Sequence, residues 1–237
     1  MARKKIFEHK FFNIPKLERV TVDGKRYYRL PNGNLAISVT TAVSDASDKT
    51  ALYEWKARVG EAAANRISTQ AANRGTALHS ICEHYLLNKE DYPENSMPSN
   101  IDMFKTLRPY LDKHITEIYG LETTLYSNEL NAAGTTDCVA LWDGIPSIID
   151  FKTSRKEKKE EWIQGYFLQA TIYAMMVEEL TGVEIPKIVI LVGVDDNPPQ
   201  VFVKDKSQYI QRVREIFDER NKTGTTSETV EREARIA

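Results

Sequence analysis

Apolar positions recur with two different periods along the 237-residue chain, and the change from one to the other divides it. From Thr50 to about Ser68 the period is helical, with Ala51, Leu52, Trp55, Val59 and Ala63 on one side. A second helix is predicted from near Thr69, where Leu78, Ile81, Cys82, Tyr85 and Leu86 form a core stripe. A third covers 101–119, with Met103, Leu107, Leu111, Ile115 and Ile118 apolar and a kink expected at Pro109. Before these, Lys25–Leu30 reads as a strand, Pro31–Asn34 as a turn, and Ser38 as the N-cap of a short helix. After them the pattern turns to strands: Glu122–Leu130, then a pair around Asp143-Gly144, then the continuous apolar run Ile188–Val194 and the short Gln200–Val203. Two more helices are expected at Trp162–Leu180 and Lys206–Glu219.

This order predicts one α/β domain over 26–220, mainly helical to 119 and sheet-containing from 120. It lies between a loosely packed arm, 1–25, and a polar, flexible tail, 221–237.

The strand pair around Asp143-Gly144 carries charges where a buried sheet should have none. Asp-Gly is the preferred chemistry of a two-residue hairpin turn, which pairs Trp142 with Ile145. Asp137 then falls opposite Asp150, and strand alternation puts Lys152 on the same face. A three-residue loop, which Pro146 allows, would split the two acids across the sheet. Ile148 and Ile149 make the approach to Asp150 apolar, so its flanks are expected to be buried. A buried carboxylate without a partner costs several kcal/mol or takes up a proton, and a hard divalent cation with oxygen ligands removes that cost.

Composition narrows the chemistry further. A net charge of −2 means that any polyanion contact must come from local clusters. Candidates are Arg3, Lys4 and Lys5, and the group Arg155, Lys156, Lys158 and Lys159, although the latter is interleaved with glutamates like a solvated loop. The two cysteines, Cys82 and Cys138, lie in apolar patterns and suit a reducing, cytoplasmic compartment. No apolar run approaches the roughly 18 residues of a membrane span, and the basic start lacks a signal-peptide h-region. Phosphate-loop, dinucleotide-binding, nucleophile-elbow and zinc-protease motifs are absent, and the four histidines have no zinc-finger spacing. His79, at the border of the second helix's stripe, has the position of a nitrogen ligand, with Glu83 one turn on. Taken singly, each of these residues has an ordinary structural explanation; together they suggest metal-assisted hydrolysis.

Four motifs in fixed order carry a family resemblance. They are R-G-T-x-x-H-x-x-x-E at Arg74–Glu83, A-G-T-x-D at Ala133–Asp137, I-I-D-F-K-T-S at Ile148–Ser154 and Q-x-x-x-Y at Gln169–Tyr173. In these the chain resembles the PD-(D/E)XK nuclease superfamily in its RecB-like branch, and within it the group of mitochondrial genome maintenance exonucleases and their bacteriophage relatives. The resemblance implies a restriction-endonuclease-like core: a central mixed β-sheet flanked by helices, with an N-terminal helical region. It implies a Mg²⁺- or Mn²⁺-dependent DNA exonuclease preferring single strands or ends, acting in replication, recombination or repair, in the host cytoplasm if phage-encoded. The metal would be held by His79, Asp137, Asp150 and the main-chain carbonyl of Phe151. Lys152 and Gln169 would act on the water and phosphate, while Arg74, Glu83, Thr153 and Tyr173 would support the site or touch DNA. The alternatives are a duplex-end or structure-specific endonuclease, and a catalytically silent nucleic-acid-binding module.

Overall fold

The computed structural model describes residues 5–222; Arg3, Lys4 and the expected tail beyond Lys222 lie outside them. One mixed sheet runs through the molecule. Its strands are β1 (Glu8–His9), β2 (Glu18–Val22), β3 (Lys25–Arg29), β4 (Leu35–Ser38), β5 (Ile115–Ser127), β6 (Ala132–Trp142), β7 (Ile145–Ser154), β8 (Lys187–Val194) and β9 (Gln200–Asp205). They lie in the order β2-β3-β4-β6-β7-β8-β9, with β5 also on β6 and β1 parallel to β5. The helices are α1 (Val39–Asp45), α2 (Thr50–Val59), α3 (Glu61–Leu86), α4 (Pro98–His114), α5 (Gln164–Thr181) and α6 (Ile210–Lys222). The fold is a mixed α/β sheet flanked by helices. None of the described helices is long and apolar enough to cross a membrane.

Each face of the sheet buries its own core. On one, Leu78, Ile81, Cys82 and Leu86 of α3 and Leu107 and Leu111 of α4 pack on Ile149 and Phe151 of β7 and Leu191 of β8. On the other, Phe167, Ile172 and Met176 of α5 and Ile216 of α6 cover Ile148, Ile188 and Ile190. The strands between, β7 and β8, are buried on both sides, which is why the Ile188–Val194 run is continuously apolar.

The Asp143-Gly144 turn is the two-residue type anticipated. Both residues have positive φ (51° and 79°), as a type I′ turn requires, and Trp142 pairs with Ile145. Ser38 caps α1, its Oγ accepting from the Thr41 amide at 3.1 Å.

Four expectations need correction. The helix break falls at Gly60 (φ 83°), not near Thr69, so α3 runs unbroken for 26 residues through Ser68 and Thr69. The predicted apolar side of the Thr50–Ser68 helix is largely unpacked: α2 has no buried residue, and Leu52 is 44% exposed. The third helix stops at His114, and Ile115 and Ile118 belong to β5. Their spacing of three imitates a helix because the β5–β6 register shifts between them, and this irregularity leaves both fully buried. Finally, the 5–25 segment is no loose arm. Phe7 is 2% exposed in the α3–α4 core, and its amide and carbonyl are both bonded by the Asn88 side chain at 2.9 Å. Phe12, Ile14, Val20 and Val22 add partly buried contacts with the other core.

Packing of this kind predicts a sharp contrast along the helical part. Leu78→Ala, in a fully buried site, should cost about 2–5 kcal/mol in denaturant unfolding. Leu52→Ala should stay within about 0.5 kcal/mol of the parent protein.

Candidate active site

The A-G-T-x-D strand has a notch in one of its edges. Along that edge Ala132 pairs with Ile37 and Ala133 with Ser38 of β4, while Cys138 to Trp142 pair with β7. Between these two partners the backbone of Gly134, Thr135, Thr136 and Asp137 has no strand neighbour on that side among the described residues. The β6–β7 ladder stops at Cys138–Ile149, one pair short of Asp137 and Asp150; past this point β7 continues with β8 alone. In place of the missing rung, the Phe151 amide donates to Asp137 Oδ2 at 2.7 Å. The strands therefore part where the two acids sit.

A cavity of about 600 Å³ opens at this notch. Gly134 is required at its back wall because a Cβ there would lie 2.8 Å from Tyr173 Oη and 2.9 Å from its Cε1. His79 and Glu83 reach the cavity from α3, Asp137 and Lys152 from the parting strands, and Gln169 and Tyr173 from α5. Asp150, 2% exposed, lies below, its Oδ2 meeting the Lys152 ammonium as an ion pair. Two of the expected residues are elsewhere. Arg74 pairs with Asp195 at 2.5 Å and lines a different cavity, and Thr153 has the opposite strand parity to Lys152. Tyr173 is almost wholly buried, so it serves as packing with only its edge at the cavity.

His79 ties the centre together. Its Nε2 lies 2.6 Å from the Phe151 carbonyl oxygen and its Nδ1 lies 3.3 Å from Asp137 Oδ1. Burial works against the imidazolium, yet the hydrogen bond and charge of Asp137 outweigh it and raise the His79 pKa to about 9. With both ring nitrogens protonated, Nε2–H donates to the carbonyl and Nδ1–H faces the carboxylate. Burial also opposes ionised Asp137, but His79, Lys152 and the Phe151 amide hold its pKa below the usual value. Asp150 is shifted the other way, upward, by burial that Lys152 only partly offsets. Lys152 pays the same desolvation, but Asp150 and Asp137 outweigh it and keep the ammonium charged.

Glu122 is the site residue that the sequence pattern concealed. Its neighbours pair as Leu121–Cys138 and Thr123–Thr136, so it lies across from Asp137 where the ladder skips a rung. Its φ of 43° is left-handed, a conformation that costs a non-glycine residue on the order of 1–3 kcal/mol. The bend closes tightly: a Cβ on Gly120 would lie 2.6 Å from Thr123 Oγ1. The Glu122 carboxyl, at the cavity's solvent-facing side, is pushed up to about 7, first by partial burial and then by Asp137. Only the pairing register, which the sequence reading did not extend to this strand, would have revealed it.

Donor atoms of His79, Glu122 and Asp137 all come within 4.8 Å of one another, a mixed nitrogen and oxygen set suited to a divalent cation. Asp150 stands outside that group, turned to Lys152.

The chain is similar in sequence to a human exonuclease. Over 150 residues, 59% of the chain, it is 27% identical to mitochondrial genome maintenance exonuclease 1 of Homo sapiens and spans 43% of that protein's length. No protein-family model matches the chain. Among solved structures, a proposed exonuclease from Eubacterium rectale aligns with a TM-score of 0.41 at 14% identity, covering 62% of this chain and 64% of its own. A second aligns at 0.36, covering 77% and 75%.

The proton on His79 gives a test of this ligand set. A metal can take Nε2 only after that proton leaves, so apparent affinity should increase with pH up to about 9. Titration calorimetry with Mg²⁺ between pH 7.5 and 8.5, above the raised Glu122 value of about 7, should show about a tenfold gain per pH unit, with proton release to the buffer. Without metal the sign is reversed: the raised His79 pKa adds folding stability below about pH 6.5, and that contribution is lost as the pH rises through about 9. A pH-independent affinity would remove His79 from the ligands.

Proposed function

We propose that the protein is a divalent-metal-dependent exodeoxyribonuclease that hydrolyses phosphodiester bonds at DNA ends and prefers single strands. The observation that carries this is the meeting of His79, Asp137, the Phe151 backbone and the Asp150–Lys152 pair where β6 and β7 part. Sequence similarity to a human protein named as an exonuclease supports it. The four ordered motifs supply the RecB-like reading of the same residues.

Mg²⁺ or Mn²⁺, held by His79, Asp137 and Glu122 with the Phe151 carbonyl beside them, would supply Lewis acidity for the attacking water and the scissile phosphate, and Asp150 would join only by leaving its ion pair with Lys152. The remaining work belongs to the chain. Asp137 fixes the His79 ring through Nδ1 and the Phe151 peptide through its amide, so two ligands are oriented by a third. Lys152, kept charged by Asp150 and Asp137, sets a fixed positive charge beside the phosphate oxygens as negative charge grows on them. Gln169, hydrogen-bonded to Tyr173, presents its amide from α5 to the water or phosphate. The preference for single strands is carried by the family resemblance of the four ordered motifs.

End-labelled single-stranded, duplex and closed-circular DNA, incubated with Mg²⁺ or with EDTA, tests this reading. Single strands should be degraded from an end, EDTA should stop the reaction, and Lys152→Ala should lower turnover about a hundredfold or more with DNA binding retained. Cleavage of closed circles would make the protein an endonuclease. No cleavage with either Mg²⁺ or Mn²⁺ would leave a nucleic-acid-binding module.

A further inference from the structure

We propose that Arg19 and Arg26, on the cavity side of the β2–β3 hairpin, form a phosphate clamp that grips the backbone of the DNA strand next to the cleaved bond. This assignment rests on the nuclease reading above. Both arginines line the cavity, on the wall formed by the hairpin and Tyr28.

The hairpin separates its charges by face. Glu18 is opposite Arg29, and on that side Arg29 pairs with Glu18 at 3.2 Å and Lys25 with Asp45 at 3.0 Å. Arg19 pairs in register with Tyr28, and Thr21 with Arg26, so alternation puts Arg19, Arg26 and Tyr28 together on the other side. There, neither arginine has an ion pair or a side-chain hydrogen bond among the described residues. The other cavity cations are compensated, His79 by Asp137 and Lys152 by Asp150.

Arg19 and Arg26 are also diagonal neighbours across the strand pair, a separation of about 7–8 Å at which like charges repel. Solvated edge charges that merely blunt β2 against other sheets would be served by the ion-paired face. Two guanidiniums held side by side without a carboxylate, facing the centre that would cut phosphodiesters, match an anionic chain. Their planar donor forks suit phosphate oxygens, and their spacing suits neighbouring phosphates of one strand. Tyr28, 6% exposed, forms the floor beneath them and is too buried to stack on a base. The clamp would therefore hold DNA without reading its sequence.

The test measures binding of labelled single-stranded oligonucleotides by anisotropy in Ca²⁺ across a salt series. It compares the parent protein, Arg19→Ala/Arg26→Ala and Arg19→Lys/Arg26→Lys. The alanine pair should bind about tenfold or more weakly, equally for oligonucleotides of different sequence, and its salt slope should fall by about 1.4, the value for two single-strand phosphate contacts. The lysine pair should keep the slope. Both arginines are exposed, and an unchanged melting temperature confirms that the alanine pair is folded. If the parent binds and cleaves DNA while the alanine pair binds with the same affinity and slope, the clamp is overturned and the nuclease reading stands. If the parent neither binds nor cleaves DNA, the nuclease reading fails and the clamp falls with it.

Discussion

The structure depends on one missing rung. Had the β6–β7 ladder continued past Cys138–Ile149, Asp137 and Asp150 would face each other across a closed sheet, two carboxylates about 5 Å apart with nothing between them. Instead the strands part, β4 takes over the edge of β6 at Ala132, and the Phe151 amide turns to Asp137. That opening admits His79 from α3 on one side and Gln169 from α5 on the other. The long hydrophobic stripe of α3 and the buried face of α5 matter to function because they hold those two side chains against the gap.

Charge explains why the gap is costly and useful. Asp137, Asp150, Glu122 and Glu83 converge on a region from which water is partly excluded, and among the described residues only His79 and Lys152 are paired directly against them. The opposite shifts of Asp137 and Asp150 express this: one acid is favoured as an ion by its partners, and the other is driven toward neutrality by burial. The left-handed backbone at Glu122 is a further local cost. A divalent cation would relieve much of the repulsion at once, which links stability to the proposed chemistry.

Much of the centre was legible in the sequence because it depends on local rules. Asp143-Gly144 has the composition of a type I′ turn, the turn sets the register, and the register puts the two acids level. The i, i+3, i+4 stripe of α3 likewise identifies which way His79 points. What stayed hidden depends on irregular or long-range pairing. The shift in β5 disguised Ile115 and Ile118 as helix, Glu122 is placed by a ladder with a skipped pair, and β4 is only four residues long. Arg74 sits within a motif, yet it is claimed by Asp195, 121 residues away, a contact no local pattern records. Arg19 lay in the stretch read as an arm and Arg26 in the predicted Lys25–Leu30 strand, and only the β2–β3 pairing puts them on one face.

The most direct test of the central claim is the position of the ion itself. A crystal grown with Mn²⁺ should give an anomalous difference peak in the notch between β6 and β7, bound by His79, Asp137 and Glu122, the group whose donor atoms converge there. A peak bound elsewhere, with the His79–Phe151 hydrogen bond intact, would contradict the account.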